Sequence, residues 1–553
     1  MQKTSLFSLL GALLLSFTGF AQSTWDYRYE FLGTDAYQSS TSNSISEVGT
    51  DYYVIANMPA QSFPSNQKAF GILQADVATG VAAIGQSFVY GHTETSMEGN
   101  AIHSTTAHSF VTGYYDNARS MLLFKRDNAT GAVLASKGVY INDISYEVGV
   151  DIVLTPSSPI PYMAVGYTGA TAANTYPMIV TFDVNLGLHQ VAYYPQTRTG
   201  SHVVSQGIHN SQGDVILVGA FRPTDASGTP TGPGELFTMK INVNGVVIGS
   251  IKYYPIQGSS CIHPSIQEIG TTDEYLVAYG DGTTTLFLTQ LNSARNPIWG
   301  KSYDLSLGMG YTKPIQVMRW NTGDITIAFS GTRISGNWVT GLLELDAIGA
   351  LNTGSEWYDS PVAQYQEGNA AIQNSTGGVL LATAGVISGL PGNIQLISER
   401  NAVVSNCESA IGPVFDHSLS LTPQDHSYSR LTFAHEMPVD IIMDFGVGNR
   451  YECNSTTRIP GPTGVFKKDP TSVSEISSPE TVIAPTVGSI FNIKGITNDV
   501  NLIEVVGING QVVKTIIPHS SEAALDLSGF DNGIYFVKIA SGSGIDTHRI
   551  IKN

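Results

Sequence analysis

One apolar position recurs seven times through the middle of the chain, at Ile45, Ile102, Ile152, Ile208, Ile266, Met318 and Ile372, with spacings of 57, 50, 56, 58, 52 and 54 residues. Each opener leads into a short apolar strand, such as Phe110-Val111-Thr112, Ile216-Leu217-Val218 or Tyr275-Leu276-Val277, usually followed by Gly or Ala. A third strand follows, as in Met178 to Phe182, and ends in a turn running from Asp or Asn to Gly: 76–80, 127–131, 183–187, 242–245 and 346–349. Such turns close hairpins because Gly and Asn tolerate positive φ. A fourth strand carries aromatics, among them Tyr140, Tyr193-Tyr194, Tyr253-Tyr254, Tyr303 and Trp357-Tyr358. Four antiparallel strands in about 50 residues, seven times over, predict an all-β chain built on a seven-bladed β-propeller. Solenoid units are usually shorter or helical, and stacked sandwiches would not keep one four-strand grammar for so long.

The seventh unit lacks its aromatic fourth strand, while Trp25 to Phe31 has that pattern with no strands before it. The N-terminal strand is therefore expected to complete or flank the last blade. Composition agrees with strands and tight turns: 57 Gly and only 13% charged residues, about half the usual share. A net charge of −18, with no basic run longer than a pair such as Lys467-Lys468, argues against nucleic acid as a partner.

Met1-Gln2-Lys3 precedes an apolar run from Leu6 to Phe20 and a small-x-small site, which predicts a signal peptide, residues 1–21, cut between Ala21 and Gln22. A membrane anchor is the weaker alternative, because the run is short and broken by Ser8, Gly11 and Ser16; no transmembrane segment is expected in the mature chain. Export permits a disulfide, and Cys407 with Cys453 is the favoured pair, leaving Cys261 a buried free thiol. The expected organisation is a propeller over 22–420, an irregular extension over 421–458 held by that disulfide, a Pro- and Gly-rich linker over 459–478, and a small β-sandwich over 479–553.

The last segment alternates apolar and polar residues and carries Gly510-Gln511-Val512-Val513, Leu525 to Gly529, Gly533-Ile534-Tyr535-Phe536-Val537-Lys538 and a terminal Ile551-Lys552. These motifs, in this order, resemble the type A C-terminal sorting domain of the type IX (Por) secretion system. The Pro-Asn-Pro that typically opens that domain is replaced by Ile483-Ala484-Pro485-Thr486. The resemblance implies engagement of the type IX machinery, passage through the outer membrane, removal of the domain, and release or attachment at the cell surface.

For chemistry the sequence offers little. No HExxH, GxSxG or P-loop occurs, the twelve His show no metal spacing, and the Asp-box order of sialidase-like propellers is absent, so no catalytic residue, metal or cofactor is assigned. The residues after the seven openers are Ser46, His103, Val153, His209, Gln267, Arg319 and Gln373. His103, His209, Gln267, Arg319 and Gln373 could form a binding ring at the channel mouth; the favoured reading is that they satisfy contacts between blades or channel water. Fourth-strand aromatics could stack on sugars, although cross-strand packing explains them better. The expectation is a non-catalytic binding or adhesion module for an extracellular protein or glycan, with a polymer-degrading hydrolase or lyase as the alternative.

Overall fold

A computed structural model describes residues 25–452 and 482–552, apart from connecting stretches of which 32–41, 60–67 and 400–407 are the longest internal to the body. The signal peptide, the Ala21–Gln22 cut, Cys407, Cys453 and the linker lie outside the described residues. Two compact units result, residues 1–461 and 462–553. Every element is a strand.

All seven openers lie on the innermost strands Ser42–Val48, Met97–Ser104, Tyr146–Leu154, Gly200–His209, Ile262–Glu268, Met309–Arg319 and Ala363–Gln373. Each begins a blade of consecutive antiparallel strands; the blades from Tyr146 and Gly200 are joined by one parallel bridge, Thr175 to Ser201. Each innermost strand packs on the next, and Ala363–Gln373 packs back on Ser42–Val48. The ring closes as a β-propeller. Its seventh blade takes Trp25–Phe31 as fourth strand, antiparallel to Asn393–Glu399.

Innermost strands bulge shortly before their openers, with register breaks between Gly99 and Ala101, Gly149 and Asp151, Val204 and Gln206, and Pro314 and Gln316. A bulge bends its strand and pushes a carbonyl toward the neighbour. That explains the small residue of the second strand. A Cβ on Gly113 would stand 1.8 Å from the Glu98 carbonyl oxygen, and one on Gly166 would stand 1.9 Å from that of Val148.

The turns after the third strands behave as their Asp and Asn residues require. Asp127 Oδ1 accepts the Thr130 N–H at 2.8 Å and Asp346 Oδ1 that of Ala350 at 2.7 Å. Gly245 and Gly349 take the positive φ there, +65° and +79°. Two blades depart from the pattern: Leu186 and Arg295 adopt φ of +59° in the equivalent turns. Arg295 is held by its guanidinium, which donates to the carbonyls of Thr238 at 3.0 Å and Ser250 at 2.7 Å in the preceding blade.

The fourth-strand tyrosines are latches. Tyr90, Tyr194, Tyr254 and Tyr303 are fully buried. Each donates its hydroxyl to the carbonyl of the positive-φ turn residue of the next blade: Gly131 at 2.8 Å, Gly245 at 2.6 Å, Arg295 at 2.5 Å and Gly349 at 2.7 Å. These four rings are therefore closed to sugar stacking. Their hydroxyls satisfy buried carbonyls, worth about 1 kcal/mol each and more when one partner is lost.

Residues 408–452, the end of the expected propeller and most of the extension expected to be irregular over 421–458, form a belt. Its strands Glu408–Ala410, Phe415–Ser418, Gln424–His426, Leu431–Thr432, His435–Pro438, Ile442–Phe445 and Val447–Glu452 pair antiparallel with the fourth strands of blades six, five, four, three, two, one and seven in turn. The chain thus retraces the ring backwards, adding a fifth strand to every blade. The physical reason is edge protection: a fourth strand left outermost would present a row of unpaired backbone groups.

The second unit is a small β-sandwich. Val482–Ala484, Ile490–Lys494 and Glu522–Asp526 form one sheet; Val500–Gly507, Val512–Ile516, Gly533–Ser541 and Gly544–Lys552 form the other. Phe491, Ile493 and Leu525 from the first pack on Ile503, Val505, Val537, Ile539 and Ile550 from the second.

Candidate functional site

The innermost strands of all seven blades wall one cavity of about 710 Å³. Its lining comes mainly from positions before the openers, such as Glu98, Asn100, Tyr146, Asp151, Gln206 and Gln316. Alternating strand direction puts these starts on the face that carries the second-to-third-strand turns and the blade crossings. That face holds the mouth.

Aromatic residues build one side of it. Tyr114 is the penultimate residue of a second strand, Tyr146 begins an innermost strand, and Tyr167 lies on the neighbouring strand opposite Val148. The rings of Tyr146 and Tyr167 meet edge to face, centroids 6.3 Å apart at 86°. Burial pushes the phenols of Tyr114 and Tyr146 up to about 12, helped at Tyr114 by the hydrogen bond to Asp116. Burial and then the Glu98 charge raise Tyr167. All three are hydrogen-bond donors at any physiological pH. Glu98 is itself ion-paired with Lys68.

On another wall His263 stands exposed at φ +45°, directly before Pro264 and inside a register break between Ile262 and Ser265. A residue before proline prefers extended backbone, so this conformation is strained. Lys313 stands on the adjacent blade, its Nζ 5.8 Å from the centre of the Trp338 ring.

Deeper in, side chains tie each blade to the next. Ser46 Oγ accepts the Ser104 N–H at 2.9 Å, Asp151 Oδ2 that of Gly207 at 3.0 Å, Gln206 Oε1 that of Ile266 at 2.8 Å and Ser265 Oγ that of Val317 at 2.8 Å. Gln206 also donates to Gln316 Oε1 at 3.0 Å, bridging over the blade between them. Burial raises the Asp151 carboxyl to about 6 against the lowering pull of the Gly207 and Ile152 N–H groups.

Of the five residues considered for a binding ring, His103 alone lines the cavity, its ring 5.7 Å from that of Tyr162 and its pKa lowered by burial. Gln267 uses Oε1 to accept the Arg319 N–H, and Arg319 Nε donates to the Gly323 carbonyl at 3.3 Å. His209 encloses an Nε2 with no partner among the described residues, and Gln373 ends its strand half-buried opposite Val379. These four stand toward the far end of the channel. Sequence reasoning missed Glu98, Tyr114, Tyr146, Tyr167 and His263; a look two to six residues ahead of each opener would have found Glu98, Tyr146 and His263.

Among the described residues no group of three His, Cys, Asp or Glu side chains could hold a metal ion. Cys261 is buried and free, burial raising its thiol. Among the described residues no helix is long and apolar enough to cross a membrane.

Residues 485–553 match the family model described as a secretion system C-terminal sorting domain. The C-terminal unit is a type IX sorting domain. The protein is therefore exported by type IX secretion to the cell surface or beyond, and the sorting domain engages that machinery. No curated protein sequence matches the chain. Among solved structures it is similar to a sialidase of Trypanosoma rangeli, at 10% identity and a TM-score of 0.34, over 68% of this chain and 58% of that one. It is also similar to the WD40 domain of SCAP from fission yeast, at 9% identity and 0.32, over 74% and 94%. The chain thus spans under two thirds of that sialidase's length.

Proposed function

We propose that the propeller ahead of the sorting domain is a non-catalytic binding module for an extracellular protein or glycan, and that it takes its ligand at the tyrosine-lined mouth of the channel. The observation that supports this reading is the mouth itself, where half-buried phenols held as donors border a cavity large enough for a ligand. Residues 1–21 serve as the signal peptide, cut after Ala21, and Cys407 with Cys453 form a disulfide.

A hydrolase or lyase is favoured by one specific feature: Glu98 of the second blade and Asp151 of the third share the cavity wall, and Asp151 titrates near 6, within reach of general acid work. Against it, both Asp151 oxygens accept backbone N–H groups, from Ile152 at 2.8 Å and Gly207 at 3.0 Å, which suits a structural tie. The test is a glycan and protein array probed with the mature full-length chain beside a panel of extracellular polymers. Saturable binding without turnover is expected. Turnover of any polymer would overturn the binding reading in favour of the enzyme.

A further inference from the structure

We infer that the mouth recognises a neutral oligosaccharide, a proposal that rests on the binding reading above and names its ligand class. Four observations converge. First, Tyr146 and Tyr167 present two mutually perpendicular rings at the cavity, and neither hydroxyl has a hydrogen-bond partner among the described residues. A half-buried phenol with an unused donor suits a pyranose, which offers an apolar face to the ring and hydroxyls to the OH.

Second, His263 keeps a strained positive φ ahead of Pro264 where its exposed side chain borders the same cavity. Strain of this kind costs on the order of 1–3 kcal/mol and persists where the surroundings impose it, often at ligand sites. It holds the imidazole at the mouth as a further polar contact.

Third, the charges of the wall are balanced. Glu98 is paired with Lys68 and Asp151 is committed to two backbone donors, while Lys313, His103 and His263 are the basic residues of the lining, and burial lowers the His103 pKa. No arginine lines the cavity. A sulfated or uronate polymer would need a cluster of cations, which the mouth does not offer.

Fourth, an extended peptide could bind by adding a strand to the innermost edges. From the bulges inward those edges are already occupied, so a strand could not run on into the channel: the N–H groups of Ser104, Gly207, Ile266, Val317 and Arg319 are taken by side chains of the preceding blade.

The experiment is calorimetric titration of the mature full-length chain with cellohexaose, xylohexaose and mannohexaose, alongside chondroitin sulfate and a library of unmodified peptides. At least one neutral hexasaccharide should bind saturably. Tyr146→Ala and Tyr167→Ala should each weaken it about tenfold or more, and Tyr146→Phe, which keeps the ring and removes only the hydroxyl, about three- to tenfold. His263→Gly should raise the thermal midpoint, because glycine accepts the positive φ, while lowering affinity. Arg319→Gln, at the far end of the channel, should leave affinity unchanged. Binding restricted to chondroitin sulfate, or sugar binding indifferent to both tyrosines, overturns the inference. A peptide that binds and is lost in Tyr146→Ala overturns the sugar assignment but keeps the binding module; cleavage of a hexasaccharide overturns the module itself.

Discussion

The two ends of the channel share the same seven strands and differ in almost everything else. From the bulge onward four of the innermost strands repeat one device: a polar side chain crosses to the next blade's backbone, as Ser46, Asp151, Gln206, Ser265 and Gln267 do. Ahead of the bulge the strands stop resembling one another. One blade supplies Glu98, another Tyr146, another the strained His263. Repetition serves closure of the ring, and departure from it marks the surface free to acquire specificity. Substitutions on the repeated half should therefore act on stability, and those at the mouth on ligand.

The largest effect is expected where the bulge leaves no room. Gly166→Val sets a branched side chain on a Cβ site 1.9 Å from the Val148 carbonyl oxygen, so strand pairing in the third blade must break. A loss of about 3 kcal/mol or more in urea unfolding, or failure to fold, follows; a wild-type midpoint would remove the reason given for the small residue.

Next is Asp151. Burial holds its carboxyl at about 6 in the fold against an ordinary 3.8, so the folded chain holds the proton more tightly than the unfolded one. Its contribution is fully present below about pH 4 and is lost as pH rises through about 6, on the order of 3 kcal/mol. The difference in stability between wild type and Asp151→Asn should change across that window and be flat above pH 7. A difference independent of pH would mean that the carboxyl is solvated.

The latches come third. Tyr254→Phe leaves the Arg295 carbonyl without its donor and should cost about 1–2 kcal/mol, read as a lowered thermal midpoint. Tyr303→Phe should cost about the same through Gly349 and add to it independently, since the two latches join different pairs of blades. Smallest is Tyr146→Phe at the mouth, expected to change stability by less than about 0.5 kcal/mol.

The ring was legible because its determinants are local and recur: openers at regular spacing, Asp-to-Gly turns, and an orphan aromatic strand at the N-terminus that pairs with Asn393–Glu399. The sorting domain was legible through motifs such as Gly533 to Lys538. The belt was not. Its strands run from the two residues of Leu431–Thr432 to the six of Val447–Glu452, too short for alternation to register, and they are held by backbone pairing that any side chain permits. The mouth was missed for a related reason: bulges break the period of two, so a position counted from the opener no longer reports which way a residue upstream of the bulge faces. His103 lines the cavity, whereas the Gln267 side chain accepts the Arg319 backbone N–H across blades and the Arg319 side chain donates to the Gly323 carbonyl.

The separation of the two halves is tested most directly by amide hydrogen exchange of the full-length chain with and without the hexasaccharide that binds it. The account predicts new protection confined to the mouth, in residues 98–100, 146–150 and 263–264, with the far-end segments 209–213 and 319–324 unchanged. Protection appearing at those far-end segments while the mouth exchanges as before would contradict it.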